Sequence, residues 1–159
     1  MANQETLENL AFAIQAEVSA YVFYKNSIEK ISDPELIETL EELAQDEVDH
    51  FRVLESQYDS LHRSERWITY SDALKVGRLP DIDERITELQ QSLLDELSSV
   101  NTQKEILEMG LIKEQQAYEF YKSQFEKTPE PEGRNAMEQL MNFELGHVRK
   151  LENWIKRTS

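Results

Sequence analysis

The chain has 159 residues, 31% of them charged, with 32 acidic against 17 basic side chains and a net charge of −15. That balance argues against nucleic acid and anionic membrane surfaces as partners, since both attract basic proteins, and it suits cations as ligands. Cysteine is absent, which excludes disulfides, thiolate metal sites, a rubredoxin-type iron centre and a cysteine nucleophile.

Gly and Pro number only four each. The rest is rich in Glu, Leu, Ala, Lys and Gln, a composition that favours helix. No stretch approaches the ~18 apolar residues of a membrane span. The start, MANQETLENL, lacks the basic residues and apolar run of a signal peptide, so the expected compartment is the cytoplasm.

The first predicted helix runs from about Glu5 to Lys30, with Leu7, Leu10, Ile14, Glu17, Tyr21, Tyr24 and Ile28 on one stripe. "SDPE" starts the second: Asp33 can cap the free N–H groups and Pro34 suits the first helical position. That helix continues to about Ser60, and Leu40, Leu43, Glu47, His50 and Leu54 share its apolar face. Residues 61–101 are less regular. "VGRLPD" breaks the pattern at Gly77 and Pro80, and "DIDERITELQQSLLDELSS" can form a helix of its own. "TQKE" places Thr102 and Glu105 as a capping box. The next helix carries Leu107, Leu111, Glu114, Tyr118, Tyr121 and Phe125 to about Lys127. "TPEPEG" then turns into a last helix, about Pro131 to Lys156. Long amphipathic helices joined pairwise by short turns predict two antiparallel hairpins and a long crossover, an all-α four-helix bundle in a single 1–159 domain.

The hairpins repeat each other at an offset of 97 residues without gaps. "EVSAYVFYK" (Glu17 to Lys25) aligns with "EQQAYEFYK" (Glu114 to Lys122), and "EVDHFRVLE" (Glu47 to Glu55) with "ELGHVRKLE" (Glu144 to Glu152). Glu17 lies 13 residues before Lys30 and Glu47 lies 13 after Pro34. At ~1.5 Å per residue both stand roughly 20 Å from their turn. The same count holds for Glu114 and Glu144. Pseudo-twofold packing therefore brings four glutamates to one level of the core, with His50 and His147 one turn along. Four buried carboxylates cannot all ionise unaided. Two divalent cations would neutralise them, and each imidazole would add one nitrogen ligand. A lone Glu-x-x-His pair in Glu-rich helices is ordinarily a solvated face. Here it occurs twice on apolar stripes, each time with a glutamate 30 residues upstream, the ligand pattern of dimetal carboxylate bundles.

At these residues the chain resembles the rubrerythrin family of ferritin-like diiron proteins. "ELAQDEVDHFRVLE" (Glu42 to Glu55) is similar to that family's second-helix signature, and "EQQAYEFYK" to its other ligand-bearing helix. The resemblance covers about 5–60 and 102–157, with 61–101 as the crossover. It implies a ferritin-like bundle in which Glu17 and Glu114 are terminal ligands, Glu47 and Glu144 bridge two irons, and His50 and His147 each complete one. Full-length rubrerythrins add a C-terminal rubredoxin domain and an extra glutamate three residues after the third-helix ligand, which exchanges with a histidine. This chain has no such domain, and Ala117 occupies that position, as Ala20 does in the first repeat. The short, rubredoxin-free members are the closer match.

Oxygen and nitrogen ligands suit Fe²⁺, Mn²⁺ or Zn²⁺. With two iron ions the expected activity is oxidoreductase chemistry: peroxide reduction or Fe(II) oxidation, with peroxide, O₂ or Fe(II) as small substrates. Electrons would come from an external donor protein such as a rubredoxin. The alternatives are a ferritin-type iron store, a diiron oxygenase, and a non-catalytic bundle with structural Zn²⁺. The expected assembly is a homodimer; whether the crossover exchanges between chains is left open. Tyr21 and Tyr118, one turn beyond Glu17 and Glu114, are the preferred residues to orient ligand carboxylates, ahead of Tyr24 and Tyr121, two turns beyond. Asp46 and Asp49 flank the first motif where the second has Phe143 and Gly146; they read as exposed residues or a local asymmetry. His62, outside the repeat, reads as a surface residue.

Overall fold

The computed structural model describes residues 3–77 and 79–158, with only the backbone of 87–91. Met1, Ala2, Arg78 and Ser159, which the expected 1–159 domain includes, lie outside the described residues. Among these residues there is no strand, and the helices are α1 (Gln4–Ser27), α2 (Pro34–Ser64), α3 (Tyr70–Leu74), α4 (Ile82–Ser98), α5 (Gln103–Lys127) and α6 (Pro131–Thr158), with a 3₁₀ turn at Ile28–Lys30. The fold is an all-α, ferritin-like bundle. None of these helices is long and apolar enough to cross a membrane.

Local chemistry sets the helix ends. Asn3 accepts a bond from the Glu5 N–H at the start of α1. Asp33 Oδ1 accepts from Glu35 and Leu36 N–H at 2.9 and 3.4 Å, ahead of Pro34. The Thr102–Glu105 capping box is formed in both directions. Helix α2 runs one turn past Ser60 because its apolar stripe continues to the buried Leu61; it ends at Glu65 in the left-handed region (φ 57°). The short α3 carries no periodicity to announce it. Thr69 caps it through the Asp72 N–H.

Helices α1 and α2 pack as one hairpin and α5 and α6 as the other. The hairpins meet through α1 against α5 and α2 against α6. Both meetings are antiparallel. Phe12 meets Phe120 and Ser19 meets Lys113 along the first. Glu35 meets Arg157, Thr39 meets Trp154, and Asp46 meets His147 along the second. The centre of the bundle is closed above and below the glutamate level by Leu36, Leu40, Leu43, Phe51, Leu54, Leu107, Leu140 and Leu151, all essentially inaccessible.

The crossover is fastened by polar groups of the first hairpin. Gln57, fully buried where the second hairpin has Trp154, clamps the Ile68 peptide: its Nε2 donates to the carbonyl at 2.5 Å and its Oε1 accepts from the N–H at 3.0 Å. The Ser56 hydroxyl donates to the Ala73 carbonyl at 2.7 Å. At the far end, Lys30 Nζ donates to the Leu97 and Val100 carbonyls at 2.8 and 2.5 Å, closing the C-terminus of α4. Glu55 pairs with Arg85 of α4 at 2.9 Å. Replacing Gln57 by Ala would strand the Ile68 peptide. We expect a loss of about 2–4 kcal/mol in urea unfolding; an unchanged midpoint would show that the clamp carries no stability.

Candidate metal centre

Each predicted ligand sits on the inner face of a bundle helix: Glu17 on α1, Glu47 and His50 on α2, Glu114 on α5, Glu144 and His147 on α6. All six are at most 2% exposed. They form two groups, Glu17–Glu47–His50–Glu144 and Glu47–Glu114–Glu144–His147, in each of which one ligand atom per residue lies within 4.8 Å of the others. Glu47 and Glu144 belong to both. His50 Nδ1 is 3.0 Å from Glu144, 3.6 Å from Glu17 and 3.7 Å from Glu47. His147 Nδ1 is 3.2 Å from Glu114 and 3.5 Å from both Glu47 and Glu144.

These approaches mostly lack hydrogen-bond direction. Glu17 Oε2, Glu47 Oε1, both Glu144 oxygens and both His50 nitrogens are buried without a hydrogen-bond partner. Orphaned polar atoms of this kind cost about 1–3 kcal/mol each. A cation is what such a set fits: ligands about 2.1 Å from one ion stand ~3 Å apart when adjacent, as these do. The buried Glu and His groups suit a dimetal site on residues of this chain alone.

Protons occupy the same space when no cation does. Burial pushes the Glu144 carboxyl up, and the charges of Glu114 and Glu17 push it further, to about 8. Glu114 moves the other way: burial opposes its charge, but the neighbouring Glu144, His147 and Tyr24 outweigh it. The two titrate as a pair in which Glu144 keeps the proton. Burial disfavours charge on both imidazoles, yet the facing carboxylates win. His147 rises to about 12, through Asp46, Glu114 and Glu144. His50 rises well above its ordinary value, through Glu17 and Glu144.

The tyrosines correct the sequence-based expectation. Tyr24 donates to Glu114 Oε1 at 2.6 Å and Tyr121 donates to Glu17 Oε1 at 2.5 Å, whereas Tyr21 and Tyr118 are only partly buried and bond no ligand carboxylate among the described residues. The reason is helical geometry. A residue seven positions on returns to within about 20° of the same direction, while one four positions on is about 40° off. Side chains also lean toward the helix N-terminus, so Tyr24 reaches back to the ligand level and across to α5. There Gly110 makes room: a Cβ on it would stand 3.3 Å from the Tyr24 ring. Burial, then the neighbouring carboxylates, push both phenols well above 10, so they stay donors.

Asp46 was missed. It is half-buried rather than exposed, and its Oδ2 lies 2.9 Å from His147 Nε2. Burial opposes its charge, but the bond to His147 prevails and lowers its pKa. Around His50 the arrangement differs: Phe143, at the position matching Asp46, packs its ring 5.2 Å from the imidazole and stacks on Tyr70 of α3 at 5.6 Å. The signal was present in the sequence, since Asp46 and Phe143 are the place where the two motifs disagree in chemistry. His62 is exposed, as expected, and stacks on Tyr58.

Comparison with known proteins agrees with this geometry. A family model described as Rubrerythrin matches residues 8–155. A solved structure described as a hypothetical protein from Pyrococcus furiosus is similar in fold, with a TM-score of 0.69 and 24% identity over 98% of this chain and 91% of that one. No curated protein matches the chain significantly.

Two outcomes follow for the isolated site. Because His147, His50 and Glu144 hold protons near neutrality, metal must displace them, and apparent affinity rises with pH by about tenfold per displaced proton per pH unit. Calorimetric titration with Mn²⁺ in buffers of different ionisation enthalpy between about pH 6 and about pH 8 reads this directly; an affinity independent of pH would refute the protonated cluster. Tyr24→Phe and Tyr121→Phe should each weaken metal binding by about 10–100-fold, while Tyr21→Phe leaves it unchanged.

Proposed function

The chain belongs to the rubrerythrin family, and from that we propose that it is a diiron oxidoreductase that reduces peroxide with electrons from an external donor. The observation that carries this reading is the sharing of Glu47 and Glu144 between the two buried Glu–His groups. Shared carboxylates hold two cations close enough to act on one small molecule. Two irons, when bound, supply one electron each to a two-electron reduction.

The residues of the chain do the rest. Glu17 and Glu114 would each serve one metal, Glu47 and Glu144 both, and His50 and His147 one each, so that four carboxylates balance two divalent cations. Tyr121 and Tyr24 pin one oxygen of Glu17 and Glu114 and turn the other toward the centre. Asp46 fixes the His147 ring by holding its outer nitrogen. It also links that ring to the surface, where protons can be exchanged. These residues include no cysteine for a thiolate-held iron, and the electron carrier we propose is of the rubredoxin type. The assembly we propose is a homodimer, which size-exclusion chromatography distinguishes from an iron-storage cage.

Protein purified without chelator should carry two metals per chain, and chelation should lower the melting temperature markedly. After iron loading and anaerobic reduction it should consume hydrogen peroxide at a stoichiometry of two electrons per molecule. Glu144→Ala should bring metal content to one per chain or fewer and abolish turnover. Less than one metal per chain in the wild type, unresponsive to added Fe²⁺, would overturn the reading; full iron loading without peroxide consumption would leave a metal site of another function.

A further inference from the structure

A cavity of about 140 Å³ lies between α1 and α5, with Glu17, Glu47, Glu114 and Glu144 on its floor. Its walls are Ala13, Ala16, Ala20 and Ala117. Its rim is marked by Phe12 and Phe120, whose rings pack at 5.5 Å. Phe12 is 61% exposed, an apolar ring held in water beside an opening to the site.

The volume is the informative quantity. A water molecule accounts for about 30 Å³ of liquid, and hydrogen peroxide is little larger, whereas an apolar cavity of about 150 Å³ accepts benzene. The space above the carboxylates is therefore large enough for an organic group of about five or six carbons. Its lining selects the chemistry. Lys113, the cation at the edge, is engaged with Glu96 at 2.8 Å and Ser19 at 3.2 Å. The polar side chains that line the cavity beside it, Ser19, Gln116 and Tyr121, are uncharged, and with the four floor carboxylates balanced by two divalent cations nothing there calls for a charged organic group. A neutral molecule with one apolar end and one end for the metals fits both surfaces.

We propose that the cavity seats the organic group of a small neutral hydroperoxide, ROOH, with R of about tert-butyl to phenyl size. The proposal rests on the peroxide-reducing reading above and names its substrate class. In the reaction the O–O bond breaks, two electrons and two protons are taken up, and the products are the alcohol ROH and water; the electrons come from the one-electron donor already invoked. The alanine walls keep R dry, and the carboxylate floor sets the peroxide end toward the centre.

The test separates occupancy from turnover. With zinc-loaded protein, the unreactive tert-butanol should shift the methyl carbon resonances of Ala13, Ala20 and Ala117 in a saturable way. Ala117→Leu, which fills the cavity, should abolish that shift; Ala16→Leu at the rim is the second variant should the first fail to fold. With iron-loaded protein, either variant should lower turnover of tert-butyl hydroperoxide relative to hydrogen peroxide at least tenfold. Absence of the methyl shifts in the wild type overturns the proposal, as does an unchanged ratio of the two peroxides in both variants. If neither peroxide is reduced while tert-butanol binds, the peroxide reading itself fails and the substrate assignment falls with it.

Discussion

Four glutamates at one level of a helical core cannot all be charged, buried and unpaired. Every other feature of the molecule answers to that constraint. Desolvation and mutual repulsion force protons onto the cluster or call for cations in it. The orphaned oxygens and nitrogens show that the cluster is not built as a closed hydrogen-bond network. The leucines above and below it close the core along the bundle, and so raise the energetic stakes of whatever neutralises the charge.

The bundle meets the constraint by cross-bracing. Tyr24 of the first hairpin holds Glu114 of the second, and Tyr121 of the second holds Glu17 of the first. Neither hairpin can position its own terminal carboxylate fully; each relies on the other's phenol. Each tyrosine stands two turns beyond the glutamate of its own helix and leans back toward the shared glutamate level, and the antiparallel packing of α1 against α5 makes that reach reciprocal. Gly110 belongs to the same device, since a side chain there would press on the Tyr24 ring.

The ligand set was legible because it is written in spacing: Glu and His at three and thirty residues, repeated at a fixed offset, on faces otherwise apolar. Periodicity reports the direction in which a side chain leaves its own helix. It says less about what the side chain meets on another helix. That is why Tyr21 and Tyr118 were preferred on nearness along the helix over Tyr24 and Tyr121, and why Asp46 read as an exposed residue or a local asymmetry with no partner assigned. The crossover was legible as a break and a helix, but not as a docked segment. Its attachment depends on Gln57 and Ser56, whose partners are backbone groups of residues 68 and 73, and no side-chain pattern marks a peptide as a partner. The cavity was invisible for a related reason. Alanines in a helix look like propensity until two such faces are set opposite each other.

The Asp46–Phe143 mismatch reaches further than one hydrogen bond. A carboxylate on the outer nitrogen of His147 makes that ring a stronger electron donor, while the matching position beside His50 holds the tilted ring of Phe143. Ligand basicity and local charge tune how a metal is held and how readily it changes oxidation state. The backbone repeat thus supplies two seats of the same shape and unequal electronic character. Two metals held there would differ in their surroundings, in a molecule whose fold, taken alone, is nearly symmetric.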